Sequence, residues 1–257
     1  MKTNLTKCME YYNKRTKHVK REYCLLNEKY HSENGPAGIE YYKNGNKKTV
    51  VYFVNGDFHR EDGPAYIEYY EDGSLKSERY YSTNKYHRED GPAHIEYYKN
   101  GSIKFERYYI NNELHRIDKP AYIDYYEDGS VEFEHYFIHG LRHRENGPTC
   151  THYDENGNIK LEKFYVNDKY HKEDGPAYIE YDENGNVELE KYYINDVELD
   201  LQRYNNMNKI KLLKLIDMST NVHSLLKLKL LITVIYTQYK TELLELIESK
   251  ITTLTSL

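Results

Sequence analysis

The feature that most constrains this chain is a sequence unit of 28 residues that recurs six times without slippage. Every proline of the sequence occupies the same place in a unit, and a histidine precedes each proline by five residues. These recurring positions are His31, His59, His87, His115, His143 and His171, and Pro36, Pro64, Pro92, Pro120, Pro148 and Pro176. Self-similarity at a fixed period of this length indicates a stacked array, in which each unit buries its surface against its neighbours.

Each unit has the pattern of a β-hairpin followed by a loop. Residues 65–70 are rich in β-forming side chains, residues 71–74 form a turn that contains glycine, and residues 75–81 supply a second strand. The segment H-R-E-D-G-P cannot continue a central strand, because proline lacks the N–H that a β-ladder requires. We therefore predict a mainly β protein: an elongated, single-layer, twisted array of antiparallel hairpins with a small α-helical cap at its C-terminal end.

The recurring histidines and prolines are predicted to be structural loop residues. Two strands per unit at a spacing of about 4.8 Å place equivalent histidines of neighbouring units about 10 Å apart. Two ligands of one zinc ion lie about 3 to 4 Å apart, so neighbouring units do not share an ion. We expect the histidines to bond loop backbone groups that no strand satisfies. Lys119 replaces the glycine before Pro120, and we expect the loss of a positive-φ turn to distort that loop.

Charge and cysteine content restrict the partners and the compartment. Residues 33–199 carry a net charge of −14, whereas residues 1–32 and 200–257 carry +5 and +3. Nucleic acids and anionic membranes are bound by clustered Lys and Arg, so we expect no nucleic-acid partner for the repeats. The three cysteines show no C-x-x-C spacing, and the longest apolar stretch is too short for a membrane span. These observations predict a protein of the reducing cytoplasm.

Tyrosine supplies most of the aromatic surface, with 31 Tyr against 6 Phe and no Trp. The tyrosines form ladders along the repeats, and a ladder could contact a protein partner or simply provide the packing that a ribbon with two exposed faces requires. The residues assigned to a possible partner surface are Tyr69, Tyr97, Tyr125 and Tyr181. The sequence contains no G-x-S-x-G, P-loop or H-E-x-x-H motif, so we expect neither an enzyme nor a bound cofactor.

One junction departs from the repeat in a way that suggests metal binding. Between the fourth and fifth units the chain carries His135, His139, His143, Cys150 and His152, and residues 149–152 replace the usual A-x-I-E. A hairpin would bring His143 towards His152 and offer imidazole and thiolate ligands to zinc or copper. The spacing matches no standard site, and neutral variation in a tolerant repeat is the alternative. The candidate ligands are His139, His143, Cys150 and His152.

The two ends of the chain differ from the repeats. Residues 1–30 are predicted to be a degenerate capping repeat, residues 31–199 the six full repeats, and residues 200–257 a helical cap. Apolar residues recur at helical spacing at Ile210, Leu213, Ile216, Ile232, Tyr236, Tyr239, Leu243, Ile247 and Ile251. Residues 225–235 contain several β-branched residues, so a strand there is an alternative. The helices would close the open edge of the sheet or join two chains in a homo-oligomer.

The stretch from Tyr97 to His115, which reads Y-Y-x-N-G-x-x-x-x-E-x-Y-Y-x-N-x-x-x-H, resembles the MORN-repeat variant. The resemblance covers about residues 22–199 and implies a series of hairpins that bind or scaffold other proteins, without a catalytic residue set. This chain departs from the family pattern because R-E-D-G-P-A follows the histidine where the family has glycine, which enlarges one loop.

The form H-R-x-D-G-P-A also resembles repeat proteins of large DNA viruses and of some phages, which would place the protein in the cytoplasm of a host. Some bacterial relatives of the family resemble antitoxin or immunity proteins, and an acidic array of that kind would mask a basic active site. We therefore expect a non-enzymatic scaffold for protein–protein interaction. An inhibitor of the antitoxin type and a metal-binding protein are the alternatives.

Overall fold

The computed structural model describes residues 5–219, 221, 224–226, 228 and 240–255. The chain divides into two compact units. One contains the residues up to 171 together with residues 177–190, and the other contains residues 172–176 together with the chain from residue 191 onwards. The described residues of the first unit form strands and turns, whereas helices predominate in the second.

Most of the first unit is one antiparallel sheet to which every repeat contributes two strands. The sheet starts with the hairpin of β1 (Leu5–Asn13) and β2 (His18–Leu26), and β3 (Lys29–Tyr30) pairs with the end of β2. The first strands of the repeats are β4 (Gly38–Tyr41), β8 (Tyr66–Tyr69), β12 (His94–Tyr97), β16 (Tyr122–Tyr125), β20 (Cys150–Tyr153) and β24 (Tyr178–Tyr181). The second strands are β5 (Lys47–Val51), β9 (Leu75–Arg79), β13 (Ile103–Arg107), β17 (Val131–His135), β21 (Ile159–Lys163) and β25 (Val187–Ile194). Neighbours follow the order β1-β2-β4-β5-β8-β9-β12-β13-β16-β17-β20-β21-β24-β25, which confirms the predicted mainly β array of antiparallel hairpins.

A tight turn sets the register inside each repeat. In the second repeat Tyr66 lies opposite Arg79, and the pairing shifts by one residue at Tyr69, next to the turn. The N–H of Gly73 closes the turn by donating to the carbonyl oxygen of Tyr70 over 2.9 Å, and Gly73 has a φ of 92°. Residues with a Cβ are strained in this left-handed region, so the glycine fixes the point at which the hairpin reverses.

The second tyrosine of each Y-Y pair fastens one repeat to the next. The hydroxyl of Tyr70 donates a hydrogen bond of 2.8 Å to the carbonyl oxygen of Tyr97. The equivalent pairs are Tyr12–Tyr41, Tyr42–Tyr69, Tyr98–Tyr125 and Tyr126–Tyr153. In the fifth and sixth repeats the position holds Asp154 and Asp182, which accept hydrogen bonds from N–H groups of their own turns. The opening hairpin of β1 and β2 therefore joins the array through the same bond as a full repeat.

A smaller hairpin follows the second strand of each of the first five repeats, and the sequence prediction did not separate it from that strand. These hairpins pair β6 (Phe53–Val54) with β7 (Asp57–Phe58), β10 (Tyr81–Ser82) with β11 (Lys85–Tyr86), β14 (Tyr109–Ile110) with β15 (Glu113–Leu114), β18 (Phe137–Ile138) with β19 (Leu141–Arg142), and β22 (Tyr165–Val166) with β23 (Lys169–Tyr170). Their rings stack in the order Tyr30, Phe53, Phe58, Tyr81, Tyr86 and Tyr109, with neighbouring centroids 4.0 to 5.3 Å apart. Pairs at such distances contribute about 0.5–1.5 kcal/mol beyond the area they bury, so this column acts as a core for a thin sheet.

An arginine organises the H-R-E-D-G-P loop. The guanidinium of Arg88 lies 4.0 Å from the ring centre of Tyr80, donates to Asp90 over 2.8 Å and donates to the carbonyl oxygen of Pro92 over 3.4 Å. A Cβ at Gly91 would lie 2.8 Å from the central carbon of that guanidinium, so glycine at this position makes room for the arginine. The stack on a tyrosine and the bond to a proline carbonyl recur at Arg60, Arg116 and Arg144.

The fourth loop carries Lys119 where the other full loops have glycine. The equivalent glycines differ in conformation: Gly35 and Gly147 have positive φ, whereas Gly63 and Gly91 do not, so the expected loss of a positive-φ turn applies to only some of the loops used as the reference. A left-handed residue is gained instead, at Asp118, whose φ is 57°. Arg116 keeps its stack on a tyrosine ring, at 3.7 Å, and its hydrogen bond to a proline carbonyl, at 3.1 Å. The backbone of this loop therefore differs while the contacts of its arginine remain.

The second unit begins with the end of β25, which pairs with β26 (Val197–Leu199). Helix α1 (Leu201–Met218) follows, with Asp200 as the N-cap residue whose carboxylate accepts a backbone N–H of the first turn. Tyr204 of this helix stacks on Tyr192 of β25, with ring centroids 4.5 Å apart. The hydrogen bond caps the helix, and the ring contact holds the start of the helix against the last hairpin.

A small apolar core joins α1 to α2 (Lys240–Thr255) and to the helical residues 224–226. It consists of Leu212, Ile216, Leu225, Leu243 and Ile247. Leu213 and Ile251 pack against this core, whereas Ile210 is exposed and was wrongly predicted to lie on the apolar stripe. No helix among the described residues has the length and apolar character needed to cross a membrane.

The alternative strand over residues 225–235 is wrong at its beginning, because residues 224–226 and 228 are helical. The side chain of Leu225 is fully buried against the helices. This tertiary contact favours a helix over the strand that the β-branched residues of the segment suggest. The predicted helical residues Ile232, Tyr236 and Tyr239 lie outside the described residues.

The arginine contacts predict a stability effect. We expect Arg88→Met to lower the free energy of unfolding by about 1–2 kcal/mol, because the stack on Tyr80 and two hydrogen bonds are lost. Urea unfolding monitored by circular dichroism measures the change. Glu89→Gln is the matched control, since this neighbouring side chain is exposed and should change the unfolding free energy by less than about 0.5 kcal/mol. Equal unfolding midpoints for Arg88→Met and the unchanged protein would contradict the assigned role.

Candidate functional site

Open grooves lie between successive H-R-E-D-G-P loops on one side of the sheet. The groove between the first and second loops has a volume of about 770 Å³, and the groove between the second and third has about 720 Å³. Tyr52 and Val54 form part of the first groove, and Tyr80, Tyr81 and Ser82 line the second. Each groove therefore has an aromatic element and walls made of two polar loops.

The walls of these two grooves carry unpaired negative charge. In the second loop Arg60 donates to Asp62 over 2.9 Å, and this hydrogen bond lowers the pKa of the Asp62 carboxyl, so the two charges cancel. Glu61 remains, with 92% of its side chain exposed, and its nearest cationic candidate is the imidazole of His59 at 4.0 Å. The third loop repeats the arrangement with Glu89. The first loop has Glu33 as its only formal charge, so each of the first three loops contributes a net charge of −1.

The fourth and fifth loops interrupt this acidic row. The fourth loop carries Arg116, Asp118 and Lys119, and its net charge is +1. The fifth carries Arg144 and Glu145 and is neutral. The groove between the fourth and fifth loops is smaller, at about 540 Å³. The sixth loop again carries a net charge of −1, but its Glu173 lies 3.2 Å from Lys211. The uninterrupted acidic row therefore spans the first three loops.

The recurring histidines contact the backbone of the following small hairpin. Nδ1 of His31 accepts a hydrogen bond of 3.1 Å from the backbone N–H of Asn55. Nδ1 atoms of His87 and His115 accept equivalent bonds, over 3.3 and 3.1 Å. At His59 and His143 the Nδ1 atom is buried and makes no hydrogen bond. A nitrogen that accepts a backbone N–H uses the lone pair that a metal would need, so the three bonded histidines present no ligand through Nδ1.

The tyrosines of the predicted partner surface are half-buried, and their hydroxyls are largely committed inside the array. Tyr97, Tyr125 and Tyr181 donate to carboxylates of the preceding second strand, over 2.7 to 2.9 Å. Burial raises the pKa of all three phenols, and that of Tyr181 rises to about 12. Tyr69 lacks such a carboxylate, because Val50 occupies the corresponding position. These residues thus contribute packing and internal hydrogen bonds to the sheet.

The structure brings two of the four predicted metal ligands together and adds a third residue. One ligand atom each of His135, Cys150 and His152 lies within 4.8 Å of the others. His139 is in an exposed turn with its ring 4.5 Å from that of His115, and His143 lines the groove between the fourth and fifth loops. The predicted approach of His143 to His152 does not form this cluster. His135 was not among the four predicted ligands, although it stands opposite Cys150 on the adjacent strand.

Burial determines the protonation of this cluster. It raises the pKa of the Cys150 thiol to about 12 and lowers the pKa of His135 to about 3. Burial also lowers the pKa of His152, and the charge of Lys163 adds to that effect. Cys150 is a free cysteine, so at neutral pH the cluster consists of one thiol and two neutral imidazoles.

The model of the MORN repeat variant family matches four segments of the chain: residues 65–82, 93–111, 149–167 and 177–195. Each matched segment begins at the buried alanine or threonine that precedes a first strand and ends at or just before the turn of the short hairpin that follows the second strand. This confirms the expected resemblance. No curated protein sequence matches the chain.

A buried histidine predicts a pH dependence of stability. Burial, together with the charges of Arg79 and Arg107, lowers the pKa of His94 to about 4, below the value of about 6.5 in an unfolded chain. Between these values the unfolded state binds more protons than the folded state, so the free energy of unfolding falls as the pH is lowered. We expect His94→Tyr, which restores the residue found at Tyr66 and Tyr122, to reduce the loss between pH 7.5 and 5.0 by about 1–2 kcal/mol.

Urea unfolding at the two pH values measures this difference. His139→Gln is the control, because the side chain of His139 is 75% exposed and its replacement should leave the pH dependence unchanged. The same loss of stability in His94→Tyr and in the unchanged protein would show that the fold does not lower the pKa of His94.

Proposed function

We propose that the chain works as a non-enzymatic scaffold that binds a protein partner through the grooves between its first three loops, in keeping with its four segments that match the MORN repeat variant. The observation that supports this proposal most is the row of exposed, unpaired carboxylates Glu33, Glu61 and Glu89 beside tyrosine-lined grooves. Negative charge on these loops is complementary to Lys and Arg, which form ion pairs with carboxylates.

The spacing of the row suggests the form of the partner. Equivalent residues of neighbouring repeats are separated by two strands, which is about 10 Å. A peptide in the polyproline II conformation advances about 3.1 Å per residue and turns once every three residues, so every third side chain lies on one face and falls opposite the next loop. A partner segment with Lys or Arg at every third position would therefore meet Glu33, Glu61 and Glu89 in turn.

The array is suited to this task because its own structure does not depend on these carboxylates. The side chains of Glu33, Glu61 and Glu89 are 80%, 92% and 85% exposed, and their only charged neighbours within 4.0 Å in the described part of the chain are the loop histidines. Arginine–tyrosine stacking and the bonds to proline carbonyls hold the second and third loops in place. Binding a basic segment would therefore need little rearrangement of the loops, which favours affinity.

Fluorescence anisotropy with a labelled peptide tests the proposal. The peptide has Arg at every third position among Gly and Ser, and a second peptide has the same composition with its arginines adjacent. We expect the spaced peptide to bind more tightly. The triple variant Glu33→Gln, Glu61→Gln, Glu89→Gln should weaken its binding about tenfold at low ionic strength, because three exposed ion pairs of about 0.5 kcal/mol each are lost.

The control for bulk charge is the triple variant Glu71→Gln, Glu127→Gln, Glu155→Gln. These glutamates are exposed and lie in the turns at the opposite ends of the strands, so the variant loses the same charge away from the loops. An equal effect of the two triple variants, or equal affinity for the two peptides, would contradict a spaced binding row. Affinity purification of the whole chain from its native cells then identifies the partner, whose capture should depend on the three loop glutamates.

A further inference from the structure

At one junction between repeats, three neighbouring side chains on the sheet differ in chemical type from the three equivalent side chains of the preceding repeat. In the preceding repeat the three side chains are those of Arg107, Tyr122 and Asp124. The guanidinium of Arg107 lies 3.1 Å from the ring centre of Tyr122, donates to Asp124 over 2.5 Å and donates to a backbone carbonyl over 2.7 Å. Its side chain is 8% exposed, so the fold buries a positive charge at this place.

Addition of one repeat length to these positions gives His135, Cys150 and His152. All three residues of the set are replaced together, and each replacement has a side chain that binds metals. The change cannot be read as a loss of one partner, because the cation, the ring under it and the carboxylate beside it are all absent. The set has been exchanged for one thiol and two imidazoles.

The register of the sheet brings the three side chains to one point. His135 of β17 stands directly opposite Cys150 of β20, and His152 is two residues further along the same strand. Side chains two residues apart on a strand share a face, so all three project to the same side. Their ligand atoms lie within 4.8 Å of one another, which is close to the 3 to 4 Å that ligands of one ion require. Small rotations of the side chains about χ1 and χ2 would bring the three ligand atoms to the distances that one ion requires.

The cluster contains an unused polar atom. Nε2 of His135 is buried and has no hydrogen-bond partner, although the side chain of His135 contacts the rings of Phe133 and Phe137. A buried nitrogen without a hydrogen-bond partner lowers the stability of the fold, so such atoms are rare in native proteins. A bound metal ion would use that lone pair.

Charge and coordination number decide which metal suits the cluster. Structural zinc is almost always four-coordinate, and no fourth His, Cys, Asp or Glu of the described residues joins the three ligands. Zn²⁺ on one thiolate would also leave a buried positive charge close enough to Lys163 to be repelled by it. A monovalent ion on one thiolate gives a neutral complex.

We propose that His135, Cys150 and His152 form a three-coordinate binding site for Cu(I). Thiolate is a ligand that selects Cu(I), and imidazole also suits copper. Binding replaces the thiol proton: Cys150 Sγ–H and Cu(I) give a Cys150 Sγ–Cu(I) bond and one released proton, with no change in oxidation state. The site thus depends on chemistry that the loop grooves do not use, and it stands independently of the proposed scaffold function.

Anaerobic titration of the whole protein with the coloured Cu(I)–bicinchoninate complex tests the site. We expect the protein to remove one equivalent of Cu(I) from the chelator, and X-ray absorption to show one sulfur and two nitrogen neighbours. The triple variant His135→Arg, Cys150→Tyr, His152→Asp restores the residues of the preceding repeat. It should keep the fold, measured by circular dichroism and the urea midpoint, and should no longer remove Cu(I) from the chelator.

Two further variants separate the cluster from other ligands. Cys150→Ser removes the sulfur with little change of volume and should abolish the binding of Cu(I). The double variant Cys8→Ser, Cys24→Ser should still bind one equivalent of Cu(I). His139→Gln should also retain it, because that exposed histidine is outside the cluster. Uptake of Cu(I) by the triple variant, absence of uptake by the unchanged protein, or preferential retention of Zn²⁺ in a competition of the two metals at pH 7 would overturn the proposal.

Discussion

Pairing of the second strand of one repeat with the first strand of the next is the interaction on which the rest of this structure depends. A hairpin of two short strands is not stable alone, so each repeat needs its neighbours to satisfy its backbone N–H and carbonyl groups. A tyrosine hydroxyl adds a side-chain hydrogen bond to every such contact up to the fifth repeat, as Tyr70 does when it donates to the carbonyl oxygen of Tyr97. Stability is then the sum of similar contacts between neighbours, as in other linear arrays.

This arrangement explains the abundance of tyrosine. A single sheet has no second sheet to cover it, so its large side chains must pack against one another and still tolerate water at one end. Phe58 and Tyr81 stack within the column of the small hairpins, while Tyr97 and Tyr125 bond carboxylates of the preceding strand. The aromatic residues are thus used for the architecture, which leaves the charged loops as the surface available to a partner.

Periodicity also gives the surface its geometry. Because the strand spacing is fixed, a loop residue such as Glu61 recurs at a constant interval, and its repetition forms a row that no single loop could provide. Where the sequence departs from the unit, the surface changes locally without loss of the fold. Lys119 reverses the charge of one loop, and His135 with Cys150 replaces a buried arginine and tyrosine. Each such departure is tolerated because the backbone pairing around it is unchanged.

The sequence by itself determined the period, the hairpins and the helical character of the C-terminal segment. Turn glycines such as Gly73 and prolines that cannot pair mark the ends of the strands, and these are local constraints that operate within a few residues. Only the tertiary structure decided which side chains meet. The stack of Arg88 on Tyr80, the separation of the small hairpins from the main sheet, and the meeting of His135 with Cys150 depend on contacts between strands and loops. A shift of one residue in register would send His135 and Cys150 to opposite faces, and no spacing in the sequence fixes that register.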